Sequence, residues 1–210
     1  MSFDIPLAAF SSLGGTDKLG QLLFSGDLRT VYVDNIYFYR AGSPSEPTVP
    51  APTPAVPSGD VISLFSNAYS NVPVGTWSAD WDVADVADVQ ISGDDVKLYT
   101  NLVFAGIEFL SPDIDATSMT HFHMDIWTPD PTAAPATFKI KLVNDVFGTL
   151  TEDELSYTAS SSPALMTGQW VSFDIPIDDF MNMLGRDKLG QLILSGDLST
   201  IYVDNIYFHR

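Results

Sequence analysis

Three histidines, four tryptophans and a large excess of carboxylates are the side chains from which this sequence must make any chemistry. The densest grouping is THFHMDIW, where His121, His123, Asp125 and Trp127 alternate with Phe122, Met124 and Ile126. Period-two alternation puts the first four on one face of a strand and the apolar three on the other. TFKIKLV follows a short Pro/Ala-rich connection, with Lys139 and Lys141 opposing Phe138, Ile140 and Leu142. Paired as a hairpin, the two strands would present His121, His123, Asp125, Trp127, Lys139 and Lys141 together. A flat indole against the C–H face of a sugar ring, with planar polar groups for its hydroxyls, is the chemistry such a face supports. The same spacing also reads as a solvated outer face with Asp125 paired to a lysine across strands.

Other candidates are more scattered. TWSADW holds Trp77 and Trp81 in a segment without a strand pattern; one is expected in the core and the other on a ligand surface, in either order. Tyr99 is a further aromatic candidate. His121-x-His123 with Asp125 has the donor types of a transition-metal site, though the spacing alone is a weak signal. In TIYVDNIYF, Ile201 and Val203 have one parity and Ile206 and Phe208 the other, so burying all four requires a bulge near Asp204-Asn205. A bulge frees Asp204 either for a hard cation such as calcium, with Asp80 as a second ligand, or for capping nearby N–H groups. No nucleophile elbow, metalloprotease motif or phosphate-binding loop is present, so no catalytic residue is assigned. The acidic clusters Asp94-Asp95, Glu152-Asp153-Glu154 and Asp178-Asp179 read as turns.

The elements that position these residues are short runs rich in β-branched and aromatic residues: VISLF, DVKLYTNLVF, GIEFL, THFHMDIW, TFKIKLV, QWVSFDIP, LGQLILS and TIYVDNIYF. Turn signals such as SGDD, SPD and TPDPTAAP separate them. This pattern predicts an all-β fold, an antiparallel β-sandwich of the jelly-roll type. The net charge of −18 repels phosphate backbones and anionic lipid, which argues against nucleic-acid and membrane partners. The chain has no cysteine, hence no disulfide or thiolate chemistry. The first residues lack the basic start and apolar core of a signal peptide.

The sequence also repeats itself. Residues 2–40 and 172–210 align without a gap and agree at about 26 of 39 positions. Between them, AGSPSEPTVPAPTPAVPSGD favours extended polyproline conformation. The expected organisation is a three-strand remnant of an upstream repeat (1–40), a semi-rigid Pro-rich linker (41–59) and one complete sandwich (60–210). Orphaned strands need a partner, so residues 2–40 are expected to dock, exchange strands or dimerise with another copy.

VISLFSNAYSNVPVGTWSADW, IDATSMTHFHMDIW, FKIKLV, GQWVSFDIP and TIYVDNIYF resemble a repeated accessory module of secreted enzymes from marine polysaccharide-degrading bacteria, often found beside laminarinases. The resemblance covers residues 60–210 and, for its last strands, 2–40. It implies a non-catalytic carbohydrate-binding module with a galactose-binding-like jelly roll, a marine polysaccharide ligand (a β-1,3-glucan such as laminarin first), a secreted or cell-surface location within a larger multimodular protein, and Asp204 as a structural calcium ligand. The alternatives are a structural spacer repeat and a jelly-roll lyase or hydrolase.

Overall fold

A computed structural model describes residues 3, 5–10, 12, 18–38, 44–109 and 113–210. Nine strands form among them: β1 (Val61–Phe65), β2 (Val83–Ile91), β3 (Asp94–Glu108), β4 (His121–Trp127), β5 (Phe138–Val146), β6 (Thr149–Tyr157), β7 (Val171–Pro176), β8 (Leu189–Gly196) and β9 (Ile201–His209). Every paired strand is antiparallel. The ladder runs β6-β5-β8-β3-β9-β4-β7, with β1 on β9 and β2 on β3.

This ladder folds into two layers because β3 changes partners along its length. Lys97–Tyr99 pair with β9, whereas Phe104–Glu108 pair with β8. Asn101, between the two stretches, has φ 52°, a left-handed conformation that asparagine tolerates better than most residues. One layer is therefore β6-β5-β8-β3 and the other β2-β3-β9-β4-β7. Their inner faces meet in one core: Phe138 on β5 and Tyr157 on β6 contact Phe173 on β7, with ring centroids 6.0 and 4.6 Å apart. The expected antiparallel sandwich is present. So is the bulge in β9: Asn205 has φ 51°, the register against β4 shifts there, and Ile201, Val203, Ile206 and Phe208 are all buried.

Three expectations differ. β4 and β5 do not form a hairpin. β4 pairs with β7 and β9, β5 with β6 and β8, and the connection between them crosses from one layer to the other. Asp94-Asp95 opens β3 rather than forming a turn, and two strands form where none is expected: β6, which holds the Glu152–Glu154 cluster, and β2, VADVADVQI. Both are acidic outer strands in which lysines or paired neighbours offset the charge.

The chain divides into residues 1–40 and 41–210. In the first unit the described residues hold one 3-10 turn, Leu7–Ala9, and no strand. Leu22, Leu23, Phe24, Tyr32, Ile36 and Phe38 are exposed. Parts of the expected strands (Leu110 of GIEFL among them), of the linker (residues 41–43) and of the SPD turn (residues 111–112) lie outside the described residues.

Candidate functional site

The face first expected to bind sugar is covered by the chain itself. Trp127 is only 3% exposed and packs edge-on against Tyr202, 5.4 Å between centroids, in a small cluster with Ile91 and Val96. Over this side of β4 and β9 lies the Pro-rich segment, which is a strap on the sandwich and no free spacer. Proline removes N–H donors but leaves carbonyls that need partners. Trp170 Nε1 donates to the Val49 carbonyl at 2.9 Å, and Asn205 Nδ2 to the Pro52 carbonyl at 3.1 Å.

Beneath the strap sit two adjacent carboxylates, Asp125 and Asp204, cross-strand partners with 1% and 0% exposure. Asn205 organises them. Its Nδ2 donates to Asp125 Oδ2 at 2.8 Å, its backbone N–H to Asp204 Oδ1 at 2.6 Å, and its Oδ1 accepts from Ser66 Oγ at 2.7 Å. Asp125 Oδ1 and Asp204 Oδ2 have no hydrogen-bond partner, and the nearest cationic group to the former is His123 Nε2 at 3.5 Å. Burial, together with the charges of Asp94 and Asp125, pushes the Asp204 carboxyl up to about 7. Orphaned buried oxygens of this kind are the donors a hard cation takes. Among the described residues no three His, Asp or Glu side chains converge on one ion, so two carboxylates would need backbone carbonyls to complete a calcium shell. Asp80 does not join them. It is exposed in the turn before Trp81, beside the other half of β3.

The three histidines are half-buried against neighbouring rings. His121 stacks on His209 at 5.0 Å, and His123 on Tyr207 at 4.5 Å. His209 Nε2 lies 2.7 Å from Asp174 Oδ1, and His123 Nδ1 3.5 Å from the same atom. Burial works to raise the Asp174 carboxyl. The His209 hydrogen bond and the charges of His209, His123 and His121 outweigh it and hold Asp174 below the usual carboxylate range. Tyr99 is fully buried, and its hydroxyl donates to the Trp77 carbonyl at 2.8 Å. It packs in the core, and burial with the Asp82 and Asp88 charges drives its phenol far upward.

The outer face of the other layer is open. Trp77 is the inward tryptophan, against Phe65 (5.6 Å) and under the Lys97 ammonium (4.7 Å). Trp81 is 46% exposed, and its benzo ring lies against Gly106. A Cβ at Gly106 would stand 2.3 Å from the indole, so only glycine admits the ring. The turn is fixed from below: Asp82 Oδ2 accepts the N–H groups of Ala79 (3.0 Å) and Gly106 (2.9 Å). Phe104 stacks at one side at 6.1 Å, and Trp81 Nε1 donates to Glu108 Oε1 at 3.0 Å.

Register extends this face across β8, β5 and β6. Phe104 pairs with Ser195 and Ser195 with Lys139; Gly106 with Ile193 and Ile193 with Lys141; Glu108 with Gln191. Lys139 and Lys141 ion-pair with Glu154 and Glu152, each at 2.9 Å. The structure thus brings Trp81, Lys139 and Lys141 to one surface and separates them from His121, His123, Asp125 and Trp127. Sequence reasoning missed Phe104, Glu108, Gln191, Ser195, Glu152 and Glu154. The readable signal was Gly106, a lone glycine inside an apolar strand.

No family model matches this sequence, and no curated protein does. Among solved structures, a family 11 carbohydrate-binding module of the cellulosomal cellulase Lic26A-Cel5E of Clostridium thermocellum is similar, with TM-score 0.47, 14% identity, and coverage of 71% of this chain and 94% of that one. A non-crystalline cellulose specific carbohydrate-binding module, CBM28, gives TM-score 0.45 and 14% identity over 60% of this chain and 80% of that one. The C-terminal family 22 module of Clostridium thermocellum Xyn10B gives 0.42 and 17% over 65% and 87%.

Proposed function

We propose that residues 44–210 form a non-catalytic carbohydrate-binding module whose ligand lies on the outer face of β6-β5-β8-β3. The observation that carries this is Trp81, its ring seated against Gly106 yet 46% exposed, beside Gln191 and Ser195. An exposed indole stacks on the apolar face of a pyranose, and the amide and hydroxyl serve its hydroxyl groups. Lys139 and Lys141, the lysines in the middle of the face, are each neutralised by a glutamate, so a neutral glycan suits it better than a uronate or sulfate polymer. The same pairing disfavours a lyase, which needs free positive charge at its substrate carboxylate. The sequence resemblance makes a β-1,3-glucan such as laminarin the first ligand to test, in a protein secreted or held at the cell surface as one part of a multimodular enzyme. Among the described residues no helix is long and apolar enough to cross a membrane.

Affinity electrophoresis of the full chain in laminarin tests the reading. Retardation is expected, and Trp81→Ala should weaken binding at least tenfold, about 1.4 kcal/mol. Trp127→Ala should alter stability rather than affinity. Unchanged binding by the Trp81 variant would refute the assignment of the face. Calcium is the proposed occupant beneath the strap, with Asp125 and Asp204 as ligands. Added calcium should then raise Tm, and Asp204→Asn should remove that response.

A further inference from the structure

Five non-glycine residues among those described have a left-handed backbone: Asn35, Ser92, Asn101, Phe147 and Asn205. Four carry the small polar side chains that such a φ suits. Phe147 does not. At φ 54°, followed by Gly148 at 84°, it forms the two-residue turn joining β5 and β6. Asparagine-glycine is the pair this turn favours. A bulky aromatic at its first position is strained, and strain of this kind is concentrated at functional sites. Nothing inside the fold gains from it, since Phe147 is 98% exposed.

Its position is specific. Asp145 pairs with Leu150, and Lys141 with Glu154, so Leu150 lies on the same outer face as Trp81, Lys139 and Lys141, near the end of the hairpin. Leu150 is also exposed. Phe147 stands just beyond it. Strand spacing and rise put Phe147 on the order of 20 Å diagonally from Trp81. Between them run Gln191, the Lys139–Glu154 and Lys141–Glu152 pairs and Leu150, with the exposed Lys188 beside Asp145 at the margin.

We propose that Phe147 is a second aromatic subsite of the glycan-binding face, so that the face grips a linear neutral chain at both ends of a diagonal track. This rests on the sheet-face reading above and adds a requirement for length. A polymer engages Trp81 and Phe147 together, whereas a trisaccharide reaches only one of them.

Phe147→Asn is the informative variant, because asparagine accepts the left-handed backbone and removes the ring. The full chain, Phe147→Asn and Trp81→Ala are titrated calorimetrically with laminarin, hydroxyethylcellulose, xylan and a β-1,3-linked trisaccharide, with Tm recorded for each. Expected is a fivefold or greater loss of polymer affinity in Phe147→Asn, an unchanged or higher Tm, and trisaccharide binding equal to the parent. Polymer affinity equal to the parent, with Trp81→Ala still impaired, overturns the second subsite and leaves the face standing. Equal losses on polymer and trisaccharide overturn the length requirement. Unimpaired Trp81→Ala, or no binding of any glycan by the parent, overturns the face and the subsite together.

Discussion

Residues 2–40 and 172–210 agree at about 26 of 39 positions, yet the second copy forms strands and the described residues of the first do not. What they share is local. Pro6 and Pro176 each lead into a single 3-10 turn, Leu7–Ala9 and Ile177–Asp179, and each turn closes on a phenylalanine with φ near −90° or −81°. Asn35 and Asn205 both adopt left-handed backbone, φ 54° and 51°, and each donates its N–H to the preceding aspartate, at 2.7 and 2.6 Å. What they do not share needs a partner. Ile206 and Phe208 are buried in β9, while Ile36 and Phe38, their counterparts, are exposed and outside any strand. Turns and kinks follow from neighbouring residues; strands require a ladder and a second layer.

The largest test of that contrast is to remove the second copy. Residues 41–170 lack β7, β8 and β9, the last two being interior strands of the two layers, and are expected to be unfolded. Residues 1–170 keep the first copy, which can fill the vacant slot as a circular permutant. Arg210 donates to the Asp60 carbonyl at 3.2 Å, so the end of the last strand already lies beside the start of β1. The strap opposes this. Pro44 packs beside Gly168, and the four steps from residue 40 to residue 44 span at most about 14 Å. β7 alone is about 20 Å long. If residue 40 takes the place of Arg210, the strap must lift. Residues 1–170 should therefore show a β-sheet circular dichroism spectrum and a cooperative melt, at lower Tm than the full chain. A spectrum like that of residues 41–170 would mean that the copies are not interchangeable. Within the full chain the strap is then what biases the slot toward residues 172–210.

A smaller but sharper contrast comes from the paired asparagines. Asn205→Ala forces alanine into left-handed backbone and strips partners from Ser66, Asp125 and the Pro52 carbonyl. The expected loss in urea denaturation is about 3 kcal/mol or more. Asn35→Ala makes the same chemical change in the first copy, and should move the global transition by less than about 0.5 kcal/mol. Next comes the core mismatch. Leu194 is fully buried, and Phe24 stands at its position in the first copy. Leu194→Phe should destabilise the sandwich by about 1–3 kcal/mol through overpacking. Phe24→Leu in residues 1–170 should raise Tm.

The same distinction explains what the sequence disclosed. The class of fold, the inward residues of β4, β5 and β7, and the β9 bulge were legible, because period-two patterning and the parity break at Asp204-Asn205 are local signals. The partnership of strands was not. THFHMDIW and TFKIKLV look like a hairpin because their connection is short, yet it crosses between layers and carries Lys139 and Lys141 away from His123. The strap was read as a spacer because prolines cannot build a core. That its carbonyls would serve Trp170 and Asn205 depends on surfaces brought together only by folding. Of the candidate face, Trp81 and the two lysines were named from residue type, but only register places them side by side.

The smallest expected effect is electrostatic and concerns the strand end where the copies diverge, His209 in one and Tyr39 in the other. Asp174 is held below its ordinary value of 3.8: burial acts to raise it, and the hydrogen bond from His209 and the three histidine charges prevail. A carboxylate depressed in the folded state stabilises the fold above its unfolded-state value, and that contribution disappears as pH falls through the folded value. The window is therefore acidic, below about pH 4. Asp174→Asn removes the group that titrates. Its unfolding midpoint in urea should lie slightly below the parent's at pH 6, and the difference should shrink toward pH 3. His209→Tyr, which installs the first copy's residue, should shift the parent's acid limb in the same direction without altering the circular dichroism of the fold. A difference that grows on acidification would show that the Asp174–His209 contact is not a stabilising ion pair.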